Sequence, residues 1–219
     1  IEHASRAISP ETGSVAQSVG ALTQNTLYRI LTDRMAGGFG RNGGDVNVVP
    51  GDIWVQGHYN KSKLNDVFNG YTRGISAGFD GVINDVWTLG MGYMFGHSNI
   101  DAISRRTNVD SHSVFVYGQY KPSAWYMNAI VNYTMADYSE DGMAMGLNVT
   151  GDYDLDTFGA NMAVGYDFLG GITPELSLRY MHMDSVDYSN SFGVRNKIDS
   201  GDFLTASLGT RYGFDMFFT

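Results

Sequence analysis

Trp87-Thr88-Leu89-Gly90-Met91-Gly92-Tyr93-Met94-Phe95-Gly96 sets Trp87, Leu89, Met91, Tyr93 and Phe95 on one side of an extended chain, and Thr88, Gly90, Gly92 and Gly96 on the other. A period of two marks a β-strand, because successive side chains leave the backbone toward opposite faces. Here the wide face is apolar and the other is nearly bare. A closed soluble barrel shows the reverse, with its bulk inside. An apolar exterior over a small, polar interior belongs to a strand with lipid on one side and water on the other.

The pattern recurs. Phe158, Ala160, Met162, Val164, Tyr166 and Phe168 oppose Thr157, Gly159, Asn161, Gly165 and Asp167. Trp125, Met127, Ala129, Val131 and Tyr133 oppose Asn128 and Asn132, and Leu204, Ala206, Leu208, Tyr212 and Phe214 oppose Ser207, Gly209, Arg211 and Gly213. Further strands are expected to begin near Asp52, Tyr71, Asp110 and Pro174, for eight in all, with Ser113–Tyr117 of undecided parity. Spans of about 9–11 residues suit tilted strands crossing hydrocarbon. Connections at 83–85, 121–123 and 169–171 read as tight turns, and those at 61–70, 101–107, 139–150 and 186–201 as long polar loops. This alternation is that of short periplasmic turns and longer surface loops. Trp54, Trp87 and Trp125 each open a strand at the expected periplasmic end, where an aromatic girdle belongs, although parity turns Trp54 toward the inner face. Arg73, on the lipid face, falls near the outer rim, where charge costs little.

Composition agrees. The 219 residues include no cysteine, which excludes disulfides and thiolate metal sites. With 14 Lys+Arg and a net charge of -9 there is no basic stripe for nucleic acid. The counts of Gly 28, Tyr 14, Phe 12 and Pro 4 fit crowded β-structure with aromatic rims. Mean hydropathy is only -0.18, as expected when alternate residues alone face lipid. No apolar run reaches the length of a transmembrane helix, and no signal peptide follows Ile1, so the chain reads as excised from a longer precursor.

Residues 1–51 differ, and form a first unit ahead of a barrel over 52–219. Pro10 to Met35 reads as a helix, with Ser9 as cap, Pro10 in the first turn, Glu11 at the positive end of the dipole and Gly37-Gly38 as terminator. Val15, Val19, Leu22 and Leu31 recur at helical spacing, joined by Ala16, Leu27 and Ile30. Such a helix runs roughly 39 Å, about the depth of a membrane. Its Thr, Gln, Asn, Arg and Asp residues forbid lipid contact but suit a water-filled barrel interior.

Chemical motifs yield little. Gly38-Phe39-Gly40-Arg41-Asn42-Gly43 spells a dinucleotide fingerprint, but it follows a helix and opens none, so it reads as a linker. Asp152, Asp154 and Asp156 share a face and read as a solvated strand end. The five histidines lack metal-ligand spacing. No metal, cofactor or catalytic constellation is expected.

In order along the chain stand Leu27-Tyr28-Arg29-Ile30-Leu31-Thr32-Asp33-Arg34-Met35, Trp54-Val55-Gln56-Gly57, Gly74-Ile75-Ser76-Ala77-Gly78-Phe79-Asp80, Gly90-Met91-Gly92-Tyr93, Val116-Tyr117-Gly118-Gln119-Tyr120, Trp125-Tyr126, Gly165-Tyr166-Asp167-Phe168 and Pro174-Glu175-Leu176-Ser177-Leu178-Arg179-Tyr180. In this order the fragments resemble the autotransporter β-domain, the C-terminal translocator of type V secretion proteins, over nearly the whole chain. The resemblance implies an antiparallel transmembrane β-barrel in the bacterial outer membrane, with the helix in its lumen. It implies outer-membrane lipid, a covalently linked N-terminal passenger and the barrel-assembly machinery as partners, and no enzyme activity of its own. The family's barrel has twelve strands, so eight imply a chain lacking its last ones. Ser207-Leu208-Gly209-Thr210-Arg211-Tyr212-Gly213-Phe214 nonetheless resembles the terminal assembly signal. Some members cleave their passenger at an Asn-Asn pair in the helix; Gln24-Asn25 stands here, and self-cleavage does not carry over. Expected lumen groups are Gln56, His58, Asn161, Asp167, Arg179 and Arg211, facing Leu27, Arg29, Asp33 and Arg34 of the helix. The alternative is a small outer-membrane barrel whose loops, such as 139–150 and 186–201, adhere to a surface.

Overall fold

The computed structural model describes residues 9–36, 46–49, 51–64, 68–102, 105–144, 147–168 and 171–212. The expected terminator Gly37-Gly38, the linker 38–43, and Gly213 and Phe214 lie outside the described residues, as does the side chain of Val15. One helix, α1 (Ser9–Met35), starts one residue before its expected first position. Eleven strands follow: β1 (Val46–Val49), β2 (Gly51–Leu64), β3 (Phe68–Ile83), β4 (Trp87–Ala102), β5 (Arg105–Tyr120), β6 (Trp125–Ala144), β7 (Leu147–Tyr166), β8 (Ile172–Met183), β9 (Val186–Ser189), β10 (Arg195–Ile198) and β11 (Gly201–Tyr212). All but β9 and β10 form one antiparallel sheet in the order β1-β2-β3-β4-β5-β6-β7-β8-β11, so each long strand pairs with its sequence neighbour. The eight expected strands correspond to β2–β8 and β11.

Alternation reads directly as inside and outside. On β4, Leu89, Met91 and Tyr93 point outward at 48%, 62% and 42% exposure. A Cβ added at Gly90 would stand 2.4 Å from the Tyr117 ring, and one at Gly92 would stand 2.7 Å from the Phe115 ring. The bare face of the deciding strand is therefore what lets two β5 aromatics lie flat inside. This settles the parity of Ser113–Tyr117: Ser113, Phe115 and Tyr117 are inner and buried, while Val114 and Val116 are outer.

The short turns at 83–85 and 121–123 are as expected; of the one expected at 169–171, residues 169 and 170 lie outside the described residues. At Ile83–Trp87, Asn84 and Asp85 take φ of 52° and 58°, a left-handed conformation that Asn and Asp tolerate better than other side chains. The long loops are corrected. β2 and β3, β4 and β5, and β6 and β7 run as paired strands through most of 61–70, 101–107 and 139–150. β6 and β7, at 20 residues each, are about twice the length that crosses hydrocarbon. Polar sequence there means strand beyond the membrane. The loop at 186–201 folds as the hairpin β9–β10.

The sheet wraps α1, which touches β4, β6, β7, β8 and β10. Ala16, Val19, Leu27, Ile30 and Leu31 are buried, and so are Thr23, Gln24, Thr26 and Tyr28. Two apolar clusters result. Leu27, Ile30, Leu31 and Met35 pack with Trp54, Met94, Phe115 and Ile130 toward the short-turn end. Ala16 and Val19 pack with Tyr138, Tyr153, Leu155 and Tyr188 toward the long-hairpin end.

Candidate functional site

The site is the inner face of the sheet and the helix lying against it; among the described residues no ladder joins β11 to β1 or β2. At the short-turn end Arg34 grips Asp80 of β3 with two nitrogens, Nε to Oδ2 and Nη2 to Oδ1 at 3.0 Å. The hydroxyl of Tyr117 donates to the same carboxylate and accepts from Trp54 Nε1 at 3.0 Å. The Arg34 guanidinium lies 5.2 Å from the Trp54 ring centre. The bidentate fork of arginine fits a carboxylate face, and the aromatic pair shields it from water. Below it opens a space of about 470 Å³ bordered by Arg34, Asp80, Gln119 and Lys121.

Midway along the helix, the Tyr28 hydroxyl donates to Asn132 Oδ1 at 3.1 Å. Arg179 of β8 stacks its guanidinium 4.5 Å from the Tyr28 ring centre and bonds Asn25. Gly159 makes room: a Cβ there would lie 2.4 Å from both Asn132 Oδ1 and Gln24 Nε2. At the hairpin end Tyr138, Tyr153 and Tyr188 stack in series, with centroids 4.9 and 4.5 Å apart. Tyr138 reaches the carbonyl of Ala16 at 3.5 Å. Glu140 accepts from Tyr153 at 3.1 Å and pairs with Arg105 at 3.2 Å, and both charged side chains are buried.

Of the expected helix residues, Leu27 is fully buried and Arg34 holds Asp80. Arg29 and Asp33 lie on an exposed stripe with Gln17, Ala21 and Asn25, and Asp33 is within electrostatic reach of Arg29, Arg211 and Glu175. Among the expected wall residues, Asn161 is buried and Gln56 and His58 are half-buried, all on inner faces. Arg179 contacts the helix. Asp167 and Arg211 are instead satisfied within the sheet: Asp167 accepts from Lys121 at 2.7 Å and Thr173 at 2.8 Å, and Arg211 donates to Glu175 at 2.9 Å and Tyr126 at 2.8 Å. Asp167 lies in a turn; burial there favours its neutral form, but the two donors outweigh it and hold the carboxyl below its ordinary range. Trp87 and Trp125 face outward at 41% and 40% exposure, whereas Trp54 is 2% exposed. Trp54 is therefore not part of a girdle; its indole N–H has a buried partner and its ring covers the Arg34 pair. Asp80, Tyr117 and Asn132, the groups that hold the helix, were not singled out from sequence. For Asn132 the inner-face parity was the one available signal; the parity of Ser113–Tyr117 was undecided in sequence.

A family model described as the autotransporter β-domain matches residues 53–219. The chain belongs to the autotransporter β-domain family. Its structure resembles the translocator domain of the autotransporter NalP from Neisseria meningitidis, with TM-score 0.72 and 14% identity over 89% of this chain and 70% of that one. It also resembles the β-domain of the Bordetella autotransporter BrkA, with TM-score 0.65 and 17% identity over 74% of this chain and 69% of that one. Protein YaiT of Escherichia coli strain K12 is 24% identical over 211 residues, 92% of this chain. The chain spans about a fifth of that relative, 21% of its length. An autotransporter β-domain is an outer-membrane barrel of Gram-negative bacteria, and the outward apolar faces described above are what such a location requires.

Proposed function

We propose that this domain anchors a covalently linked N-terminal passenger in the outer membrane and supports its export. Residues 1–51 act as linker and lumenal helix, and 52–219 as the membrane unit. The observation that carries this reading is the course of α1: Ala16 and Val19 pack among the hairpin-end tyrosines, and Arg34 near its end is held by Asp80 near the short turns. A chain joined upstream of Ser9 thus leaves on the surface side. The polar inner wall lets a hydrophilic chain pass, and paired strands satisfy the backbone against lipid. Lipid and the barrel-assembly machinery are the partners this role requires, and the domain itself needs no catalytic group.

The test is an epitope fused upstream of Ile1 behind a secretion signal in a Gram-negative host. The epitope is expected on intact cells, accessible to antibody and to added protease. A folded, heat-modifiable barrel whose epitope stays periplasmic would overturn the reading.

A further inference from the structure

Ten residues from the short-turn end of its strand, each wall reaches the same height: Arg73 on β3, His97 on β4, Asp110 on β5, Met135 on β6, Asp156 on β7 and His182 on β8. Lys61 stands at the corresponding position of β2. Ten residues advance roughly 33 Å along a strand, or roughly 25 Å along the membrane normal at a tilt of about 40°. That is the height of the apolar band, so these outward side chains mark the outer interface. Most of the rim is internally satisfied: His97 pairs with Asp110 at 2.7 Å, Tyr133 donates to Asp156 at 2.5 Å, and His182 meets Asp202 at 2.9 Å. Among the described residues, Lys61 and Arg73 alone of these rim charges have no hydrogen-bond or ion-pair partner.

Directly below the two cations the outer wall is hollow. A concavity of about 740 Å³ is bordered by Gly57, Tyr59, Arg73, Ile75, Phe95 and His97. Gly57 makes its floor, for a Cβ there would meet only the Gly74 carbonyl, at 4.0 Å. Tyr59 and Tyr71 stack beside it, with centroids 6.5 Å apart. The register sets Lys61 opposite Tyr71 and Arg73 opposite Tyr59, so the two cations are diagonal neighbours on one face. On a chain of net charge -9, this is a local positive sector above an apolar trough.

We propose that this face of β2–β4 binds one lipid A molecule of the outer leaflet, with an acyl chain in the Gly57 trough and a phosphate held by Arg73 and Lys61. Two adjacent cations with no acidic partner among the described residues suit a headgroup with net phosphate charge. A zwitterionic phospholipid brings its own cation and gains less.

The full chain, folded in neutral detergent micelles, is titrated with lipid A, and bound lipid is counted by native mass spectrometry. One lipid A per chain is expected to be retained. Arg73→Glu with Lys61→Glu lowers affinity at least tenfold, whereas Arg73→Lys preserves it. Gly57→Leu fills the trough, leaves both cations in place and weakens binding to a similar degree. Dephosphorylated lipid A is not retained. Equal retention by the double variant, by dephosphorylated lipid A or by phosphatidylethanolamine would overturn the proposal. Folding of each variant is checked by its heat shift on gels; if the glutamate pair fails to fold, the glutamine pair replaces it with the same expectation.

Discussion

Arg34 and Asp80 show what a charged residue does between helix and sheet, away from water. Their side chains are 7% and 10% exposed, so each has lost most of its water and depends on the other. Removing one partner of a buried pair strands the second charge, at about 3–5 kcal/mol. Asp80→Ala is therefore expected to lower the stability of the micelle-bound protein by about 3 kcal/mol or more, read as a shift of the urea unfolding curve. Arg34→Met added to Asp80→Ala should recover a large part of that loss, because no isolated charge then remains. A double variant as unstable as the sum of the singles would mean that the residues act independently. Gly159 works by absence. A methyl group there collides with Asn132, Gln24 and the Tyr28 hydroxyl, so Gly159→Ala should cost about 1–3 kcal/mol and make α1 more sensitive to added protease. Unchanged protection would show that the helix does not lie against β7.

At the scale of elements, the β6–β7 hairpin projects past the rim, and Asp137 faces Asp154 across it. The facing Asp137 carboxyl, with a smaller contribution from desolvation, raises Asp154 above its ordinary range. A raised carboxyl stabilises the hairpin while protonated: its contribution is complete below the ordinary aspartate range and is lost as the pH climbs through the raised value. Backbone amides of the hairpin should therefore exchange more slowly, after correction for intrinsic rates, on the acidic side of that window than above it. Asp154→Asn should flatten the dependence, and a profile unaltered by that change would assign it elsewhere. How far such elements were legible in sequence follows from which signal each carries. Two-residue alternation announced β4, β6, β7 and β11, since lipid demands apolar side chains at every second position. The same lipid is absent beyond the rim, so 139–150 reads as loop although the ladder continues through most of it. Trp54 carries two opposed signals: an aromatic at a strand start fits a girdle, whereas parity turns it inward, and its burial beside Tyr117 and Arg34 decides for parity. Asp80 and Asn132 were hidden because helix-to-wall pairing joins residues 46 and 104 positions apart, a distance no local pattern spans.

For the whole molecule, the wall and the helix play separable roles. The ladders lie within the sheet, so the wall does not need α1 to satisfy its backbone, and its outer faces present exposed apolar side chains such as Leu89, Met91, Leu176 and Leu208. The helix fills the interior instead, burying Ala16, Val19, Leu27, Ile30 and Leu31 against both clusters. Deleting residues 1–36 should therefore leave a β-rich, heat-modifiable protein in detergent. Its unfolding midpoint should fall, because the inner halves of both clusters lose their partners, Asp80 loses Arg34 and Asn132 loses the Tyr28 hydroxyl. It should also conduct. With α1 gone, the interior retains Thr, Ser, Asn and Gln side chains that solvate ions, and no apolar plug spans it. In planar bilayers the deleted form is expected to show larger single-channel conductance than the full chain. Equal conductance in two properly inserted samples would place α1 outside the channel and remove the physical basis for a passenger tethered through it.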